Sequence, residues 1–360
     1  MWEFNQTVDE IRSQDDLKKY RDIIEEQGRK LVLFGAGDCG HVIYNMLHNV
    51  GIDVYCFCDN ALGDRTDEAT GLQIVFPDFL IDKRDQIAVL VCAVEEYIYQ
   101  EIRKQVISLG IDKTNIYIMR DYYDRLSVAY LEEHMCKYID AYQLLTDDFS
   151  RKVFLARMKK VYLMSDILEI VSPRTEEYFD EKVVLTDQEV FIDCGGFDGD
   201  TSVKFIGRCG GTYADIVIFE PELYKKSAIE RNMSGYRYKL YQAGVWSKTA
   251  RLYFDALETD GSHVSESESD CVIEAVSLDD TVYDKKPTFI KMDIEGSEQE
   301  AIKGCSRIIS DFRPKLAICV YHKPDDLYEI PILIKKINPS YRLYLRQYAN
   351  SRFETVLYAL

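Results

Sequence analysis

The chain has 360 residues, 47% of them hydrophobic, which is enough for two ordinary packed domains. Its formal net charge of −18 argues against a nucleic-acid partner, because such affinity comes mainly from Lys and Arg at the phosphates. No apolar run reaches the roughly 18 to 20 residues that cross a bilayer, and the start MWEFNQTVDEIRSQDD has neither a basic stretch nor an apolar core, so a soluble cytoplasmic protein without a membrane partner is expected.

A polar helix is predicted over about residues 8 to 27, ended by Gly28. The apolar strand Lys30–Phe34 follows, then Gly35-Ala-Gly-Asp-Cys-Gly40, then a helix carrying Val42, Ile43, Met46 and Leu47. A second strand, Asp53–Cys58, ends in Asp59. Gly35, Gly37 and Gly40 between strand and helix, with Asp59 about twenty positions on, are the context of a dinucleotide fingerprint. Asp38, however, sits inside the loop where a pyrophosphate would lie. A strand at Ile87–Ala93 and a helix ending near Leu109-Gly110 complete a unit that is short for a full dinucleotide domain. This unit resembles the small Rossmann-like domains beside sugar-modifying transferases, which implies a nucleotide or nucleotide-sugar ligand. A structural α/β domain without a ligand is the alternative.

Residues 121–180 lack glycine and read as helix, with Leu126, Tyr130, Leu131 and Met135 at helical spacing, a second run from Phe149 to Leu168, and a break at Pro173. The expected organisation is therefore a small Rossmann-like domain at 1–120, a helical bridge or lid at 121–188, and a larger α/β domain at 189–360. The ten cysteines form no C-x-x-C pair and no Cys/His grouping, so neither a disulfide framework nor structural zinc is expected, and Cys56 and Cys58 read as core. His41, His48 and His134 fall on helices as surface or satisfied core residues. His322 remains, with His263 in an acidic, serine-rich stretch, Glu258–Asp270, that reads as a solvated loop.

The most informative stretch is Val190–Ser202, VFIDCGGFDGDTS, where an apolar strand runs into a glycine turn with carboxylates on each side. Gly195 and Gly199 allow a tight strand-to-helix crossing and close ligand approach. Asp198 and Asp200 would repel a phosphate there, whereas a cationic ligand suits the turn, and Asp193 at the strand's end is expected to reach a cationic amino acid moiety. The next strand, Ile216–Phe219, ends in Glu220-Pro221, a carboxyl edge where an acid can accept two ribose hydroxyls. The strand Tyr238–Gln242 leads to Ala243-Gly244, small residues that leave room beside an adenine ring.

Strands at Leu252–Phe254 and Val272–Val276 precede Thr288–Ile294, which finishes in Asp293-Ile-Glu295-Gly296. Asp293 and Glu295 are expected to project the same way in extended backbone, toward the crevice. Ser297 and Glu300 are expected to form a capping box, and Glu298 and Glu300 to serve the helix dipole. Leu316–Val320 ends in Tyr321-His322, where His322 reads as a general base or a substrate-orienting residue. Tyr341–Gln347 and Glu354–Tyr358 form a closing antiparallel pair.

With VFIDCGGFDGDTS, IVIFEPE, YQAGVWSKTARLYF, VSLDDTV, FIKMDIEGSEQEAIKG and AICVYHKPDDLYEIP in order, residues about 140–360 resemble the FkbM family of methyltransferases. The resemblance implies a class I methyltransferase sheet, S-adenosylmethionine as cofactor, and a hydroxyl oxygen, often of a saccharide or secondary metabolite, as acceptor. Carried onto this chain, Asp193, Gly195 and Gly199 match the cofactor loop, Glu220 the ribose ligand and Asp293 the residue near the reacting centre. The expected cofactor-binding set adds Gly196, Phe197, Asp198, Thr201, Pro221, Ala243 and Gly244, from the same turns and strand ends, to Asp193, Gly195, Gly199 and Glu220. The catalytic set is Asp293, Glu295 and His322. No metal is assigned. Two rival readings remain: an NAD-dependent oxidoreductase working through Gly35, Gly37, Gly40 and Asp59, and a non-catalytic nucleotide-binding regulatory protein. The acids at the strand ends, Asp193, Glu220 and Asp293, speak against the latter.

Overall fold

The computed structural model describes residues 1–13, 18–93, 96–118, 126–163, 165, 167–255, 263–264 and 272–360. The chain packs as two compact units, Met1–Arg125 with Tyr162–Met164, and Leu126–Val161 with Ser165–Leu360. Among the described residues no helix is long and apolar enough to cross a membrane.

In the first unit α1 (Trp2–Ser13) and α2 (Lys18–Glu25) stand where one polar helix was expected from about Val8. The helix begins six residues earlier because Phe4, Thr7, Val8 and Ile11 fall on one buried face. Next come β1 (Lys30–Phe34), α3 (Asp38–Asn49), β2 (Val54–Cys58), β3 (Arg65–Thr66), β4 (Gln73–Val75), β5 (Ile87–Val91), α4 (Glu96–Ser108) and β6 (Ile116–Ile118). They form one sheet in the order β3-β4-β2-β1-β5-β6, parallel apart from β3. The order reverses at β1, so the loop Gly35–Gly40 lies at the switch point of the sheet. Apolar strands buried on both faces, such as Ile87–Val91, are what a parallel sheet covered by helices requires.

The second unit begins with α5 (Val128–Leu144) and α6 (Asp148–Leu163). Tyr130 and Tyr138 of α5 meet Tyr328, and Arg346 binds Asp147, Ser150 and Asp180, which ties this helical segment to the sheet. Then follow β7 (Val190–Cys194), α7 (Asp200–Arg208), β8 (Asp215–Phe219), α8 (Lys226–Asn232), β9 (Lys239–Tyr241), β10 (Gly244–Val245), β11 (Ala250–Asp255), β12 (His263–Val264), β13 (Val272–Val276) and α9 (Leu278–Thr281). The chain closes with β14 (Phe289–Met292), α10 (Glu298–Lys303), α11 (Ser306–Phe312), β15 (Lys315–Cys319), α12 (Asp326–Ile337), β16 (Leu343–Gln347) and β17 (Thr355–Ala359).

Seven strands make the main sheet, β16-β17-β15-β14-β7-β8-β9, parallel except where β17 runs antiparallel to both β15 and β16. The closing antiparallel pair is present as expected, and the structure adds that β17 is inserted between β15 and β16. A separate small sheet, β10-β13-β11-β12, stands apart from it. Phe191, Phe205 and Phe289 form the aromatic centre of the core, with Phe191 and Phe205 stacked 4.4 Å apart. Of the acidic stretch Glu258–Asp270, only the strand at His263–Val264 is described, and the side chain of His263 lies outside the described residues.

Candidate active site

The carboxyl ends of β7, β8 and β14 converge on the turn that follows β7. Gly195 has φ +83°, and a Cβ there would stand 1.8 Å from the carbonyl oxygen of Asp293, so only glycine lets β14 approach. Gly199, at φ +87°, is the N-cap of α7. Gly196 and Asp198 serve the turn itself: a Cβ on Gly196 would strike Ile218 at 2.2 Å, and Asp198 accepts the amide of Asp200.

A cavity of 330 Å³ opens above this turn. On one side it is walled by Gly195, Phe197, Thr201, Glu220 and Pro221, and beyond them by Ala243, Gly244, Leu252, Ile273 and Ala275. The small second sheet thus supplies an apolar wall around the two small residues. Glu220 is buried, and its two oxygens accept the amides of Phe197 at 2.8 Å and Glu222 at 3.0 Å. Each oxygen keeps a further acceptor position, so the carboxylate staples the turn to β8 while still facing the cavity. Burial raises its affinity for a proton, and Lys225 with the two amides opposes this.

Asp193 is placed differently from the expectation. It is fully buried and absent from the cavity wall, with its Oδ2 accepting from Ser202 at 2.7 Å and its Oδ1 3.3 Å from Lys291 Nζ. Parallel pairing sets Asp193 directly opposite Lys291, so the two side chains share one face of the sheet. The charge expected to greet a cationic ligand is already neutralised inside the protein. A lysine in the middle of the apolar run Phe-Ile-Lys-Met was the available signal, because a buried ammonium needs a partner.

Farther along, the cavity is lined by Arg174, Glu177, Tyr178, Asp293, Glu295, Tyr321 and Glu354. Asp293 and Glu295 both reach it, though not through extended backbone: β14 ends at Met292 and Glu295 turns left-handed at φ +53°. Asp293 accepts from the Tyr178 hydroxyl at 2.7 Å and the Tyr321 hydroxyl at 3.4 Å. Burial presses its pKa upward, but Lys291, His322 and the Tyr178 bond together hold it below the usual carboxylate range.

His322 is nearly enclosed by acids. Its Nε2 lies 3.4 Å from both Asp293 and Glu295, and its Nδ1 lies 2.9 Å from Glu298. Burial favours the neutral ring, yet Glu298, Asp293 and Glu295 outweigh it and push the imidazole pKa up to about 10. At neutral pH the ring is therefore protonated, which counts against the general-base reading of His322. Ligand atoms of Asp293, Glu298 and His322 lie within 4.8 Å of one another. The two acids face opposite ring nitrogens, so a doubly protonated imidazole balances their charge.

Glu298 stands in the first turn of α10, where an acid serves the helix dipole, and it is fully buried: besides facing His322, it accepts the amide of Ile294 at 2.9 Å. The expected capping box does not form, since Ser297 makes no side-chain cap and Glu300 pairs with Lys303. The Ser297 amide that a capping box would have used donates instead to the Ile294 carbonyl. Among the described residues, seven non-glycine positions have positive φ, and four of them, Tyr178, Phe197, Glu295 and Glu354, line this one cavity. Backbone strain concentrated in this way marks a functional site.

In the first unit Gly35 follows β1, Gly37 is the N-cap of α3 and Gly40 lies in that helix's first turn, and Asp59 accepts the amides of Ala36, Ala61 and Leu62 at 2.8 to 3.1 Å. His41 bonds Asp67 at 2.8 Å and the Gly37 carbonyl at 3.0 Å, a satisfied histidine as expected.

Residues 193–349 match the profile of the Methyltransferase FkbM domain. That stretch is an FkbM methyltransferase domain. Residues 27–117 match the profile described as C2185-like, N-terminal. An FkbM methyltransferase structure from Methylobacillus flagellatus KT shares the fold, with a TM-score of 0.69 and 23% identity over 99% of this chain and 98% of that one. Precorrin-6y C5,15-methyltransferase from Geobacter metallireducens GS-15 overlaps more loosely, at TM-score 0.34 and 13% identity over 54% of this chain and 93% of that chain. No curated protein is similar enough in sequence to count as a match. The cavity just described lies within the FkbM domain but for Arg174, Glu177, Tyr178 and Glu354, which flank its two ends.

Proposed function

We propose that the chain transfers a methyl group from S-adenosylmethionine to a hydroxyl oxygen of a small-molecule or saccharide acceptor. The observation that carries this reading is the continuous cavity running from Glu220, Ala243 and Gly244 to Asp293 inside an FkbM methyltransferase domain. Its residues fit the cofactor: a glycine turn that admits close approach, a carboxylate with acceptor positions left over, and an apolar wall beside small residues. S-adenosylmethionine supplies an electrophilic methyl group when bound.

The chain's own residues do the rest. Positioning of the acceptor hydroxyl between Tyr321 and Asp293 provides most of the rate, and Asp293 accepts the hydroxyl proton as the new C–O bond forms. Tyr178 fixes one oxygen of Asp293, which leaves the other turned toward Tyr321 and His322. Protonated His322 balances the charge of Asp293, Glu295 and Glu298 and holds the pair of strand-end acids in place. Calorimetric titration of the full chain with S-adenosylmethionine and with NADH tests the reading. Micromolar binding of the former and none of the latter is expected, whereas tight NADH binding without S-adenosylmethionine binding would return the oxidoreductase reading through Asp59.

A further inference from the structure

The wall of the cavity beyond Asp293 carries a deficit of positive charge. Glu177 is only 4% exposed, lines the cavity, and lies 3.2 Å from Arg174 through its Oε2, while no hydrogen-bond donor among the described residues reaches its Oε1. A buried carboxyl oxygen without a donor is costly, and here it belongs to a residue that lines a space large enough for a ligand. Glu354, in the turn of the β16–β17 hairpin, meets the same Arg174 at 2.9 Å and lies within hydrogen-bonding reach of Glu177.

Asp293 and Glu295 bring the carboxylates on this wall to four: Glu177, Asp293, Glu295 and Glu354. Against them stand Arg174, His322 and Lys291, whose charge also reaches Asp293. The histidine is shared with a further acid, Glu298, and Lys291 faces Asp193 beneath the turn. Burial first, and then Glu354, push the Glu177 carboxyl up to about 8, the response of an acid that lacks a full counter-charge. Without a bound cation Glu177 therefore holds a proton at neutral pH, and a neutral polyhydroxy ligand leaves that proton in place. A cation supplies both the donor and the charge.

We infer that Glu177 and Glu354 form a subsite for a primary ammonium group of the methyl acceptor, so that the acceptor is an amine-bearing polyhydroxy compound of the amino-sugar class. The inference rests on the reading of Asp293 as the residue that faces the acceptor hydroxyl. The ammonium donates to the Glu177 carboxylate and stands between Glu177 and Glu354, while the Tyr321 ring, braced edge-on by Phe353 at 5.8 Å, offers an apolar face to the sugar carbons.

Two titrations of the full-length protein test it. The chain saturated with S-adenosylhomocysteine is titrated with D-glucosamine and with N-acetyl-D-glucosamine by saturation-transfer NMR. At least tenfold tighter binding of the amine is expected, and Glu177→Gln and Glu354→Gln should each bring the ratio close to one. Equal binding of the two sugars by the unsubstituted chain, or no binding of D-glucosamine, overturns the inference without recourse to any variant. In the second titration, S-adenosylhomocysteine should bind both variants within about twofold of the parent affinity. A tenfold loss would assign the carboxylates to the amino group of the cofactor and equally overturn it. If S-adenosylhomocysteine fails to bind the parent chain, the cofactor reading fails instead, and the two sugars titrated into the free protein still decide the ammonium subsite.

Discussion

The two glycine loops, Gly35–Gly40 in the first unit and Gly195–Gly199 in the second, are built alike and surrounded differently. Each follows the strand at the switch point of a parallel sheet, and each is stapled by an acid from the tip of the neighbouring strand: Asp59 takes the amide of Ala36, and Glu220 takes that of Phe197. The acid about twenty residues past such a loop is thus first a folding device. What separates the loops lies beneath and beyond them. At corresponding places β1 meets β5 through Leu33 and Leu90, whereas β7 meets β14 through Asp193 and Lys291. Beyond the second loop a cavity collects Asp293, Glu295, Tyr321 and Glu354, with His322 packed against its two strand-end acids. A fingerprint of glycines and one acid therefore reports a turn, and the chemistry is reported by the strands that arrive later in the chain.

The buried ion pair offers the largest test of this contrast. Lys291→Met should leave Asp193 charged and unpaired and lower unfolding stability by about 3–5 kcal/mol. Leu90→Met in the first unit should cost less than about 1.5 kcal/mol. Similar losses in urea unfolding would show that the two loops rest on equivalent foundations. Next in size is Asp293→Asn, expected to reduce the methyl-transfer rate by about 10² to 10³ while S-adenosylmethionine affinity stays within about twofold. An unchanged rate removes Asp293 from the catalytic set.

The smallest and sharpest comparison sets the two staples against each other. Asp59→Asn should cost about 1–2 kcal/mol of stability and leave methyl transfer untouched. Glu220→Gln should impose a similar stability cost and, in addition, weaken S-adenosylmethionine binding by about tenfold, roughly 1.4 kcal/mol. Calorimetry on both variants decides whether Glu220 does more than Asp59. Equal cofactor affinity in the two would confine both acids to folding.

Much of this molecule is legible along the chain because its strands are short apolar runs ended by glycine or an acid. The pattern placed Lys30–Phe34, Val190–Cys194 and the closing hairpin to within a residue or two, and it brought Glu220, Pro221, Ala243 and Gly244 to expected positions that the structure finds on one cavity wall. Two departures share a cause. The capping box at Ser297 and the cation-facing role of Asp193 were inferred from local spacing, and each was overridden by other partners: the Ile294 carbonyl for the Ser297 amide and Lys303 for Glu300, Lys291 for the charge of Asp193. The start of α1 was misjudged because a buried face is a property of packing, which polar composition conceals.

By itself the sequence determined which segments become strands and helices, where the chain turns on glycine, and which carboxylates stand at strand ends, because periodicity and backbone sterics act over a few residues. Only the tertiary structure decided which of those carboxylates are free to meet a ligand. That outcome depends on burial and on counter-charges brought in across the sheet, from Lys291 to Asp193, from His322 to Asp293 and Glu295, and from Arg174 to Glu177 and Glu354. Electrostatic partners are fixed by distance in space, and no spacing along the chain encodes it.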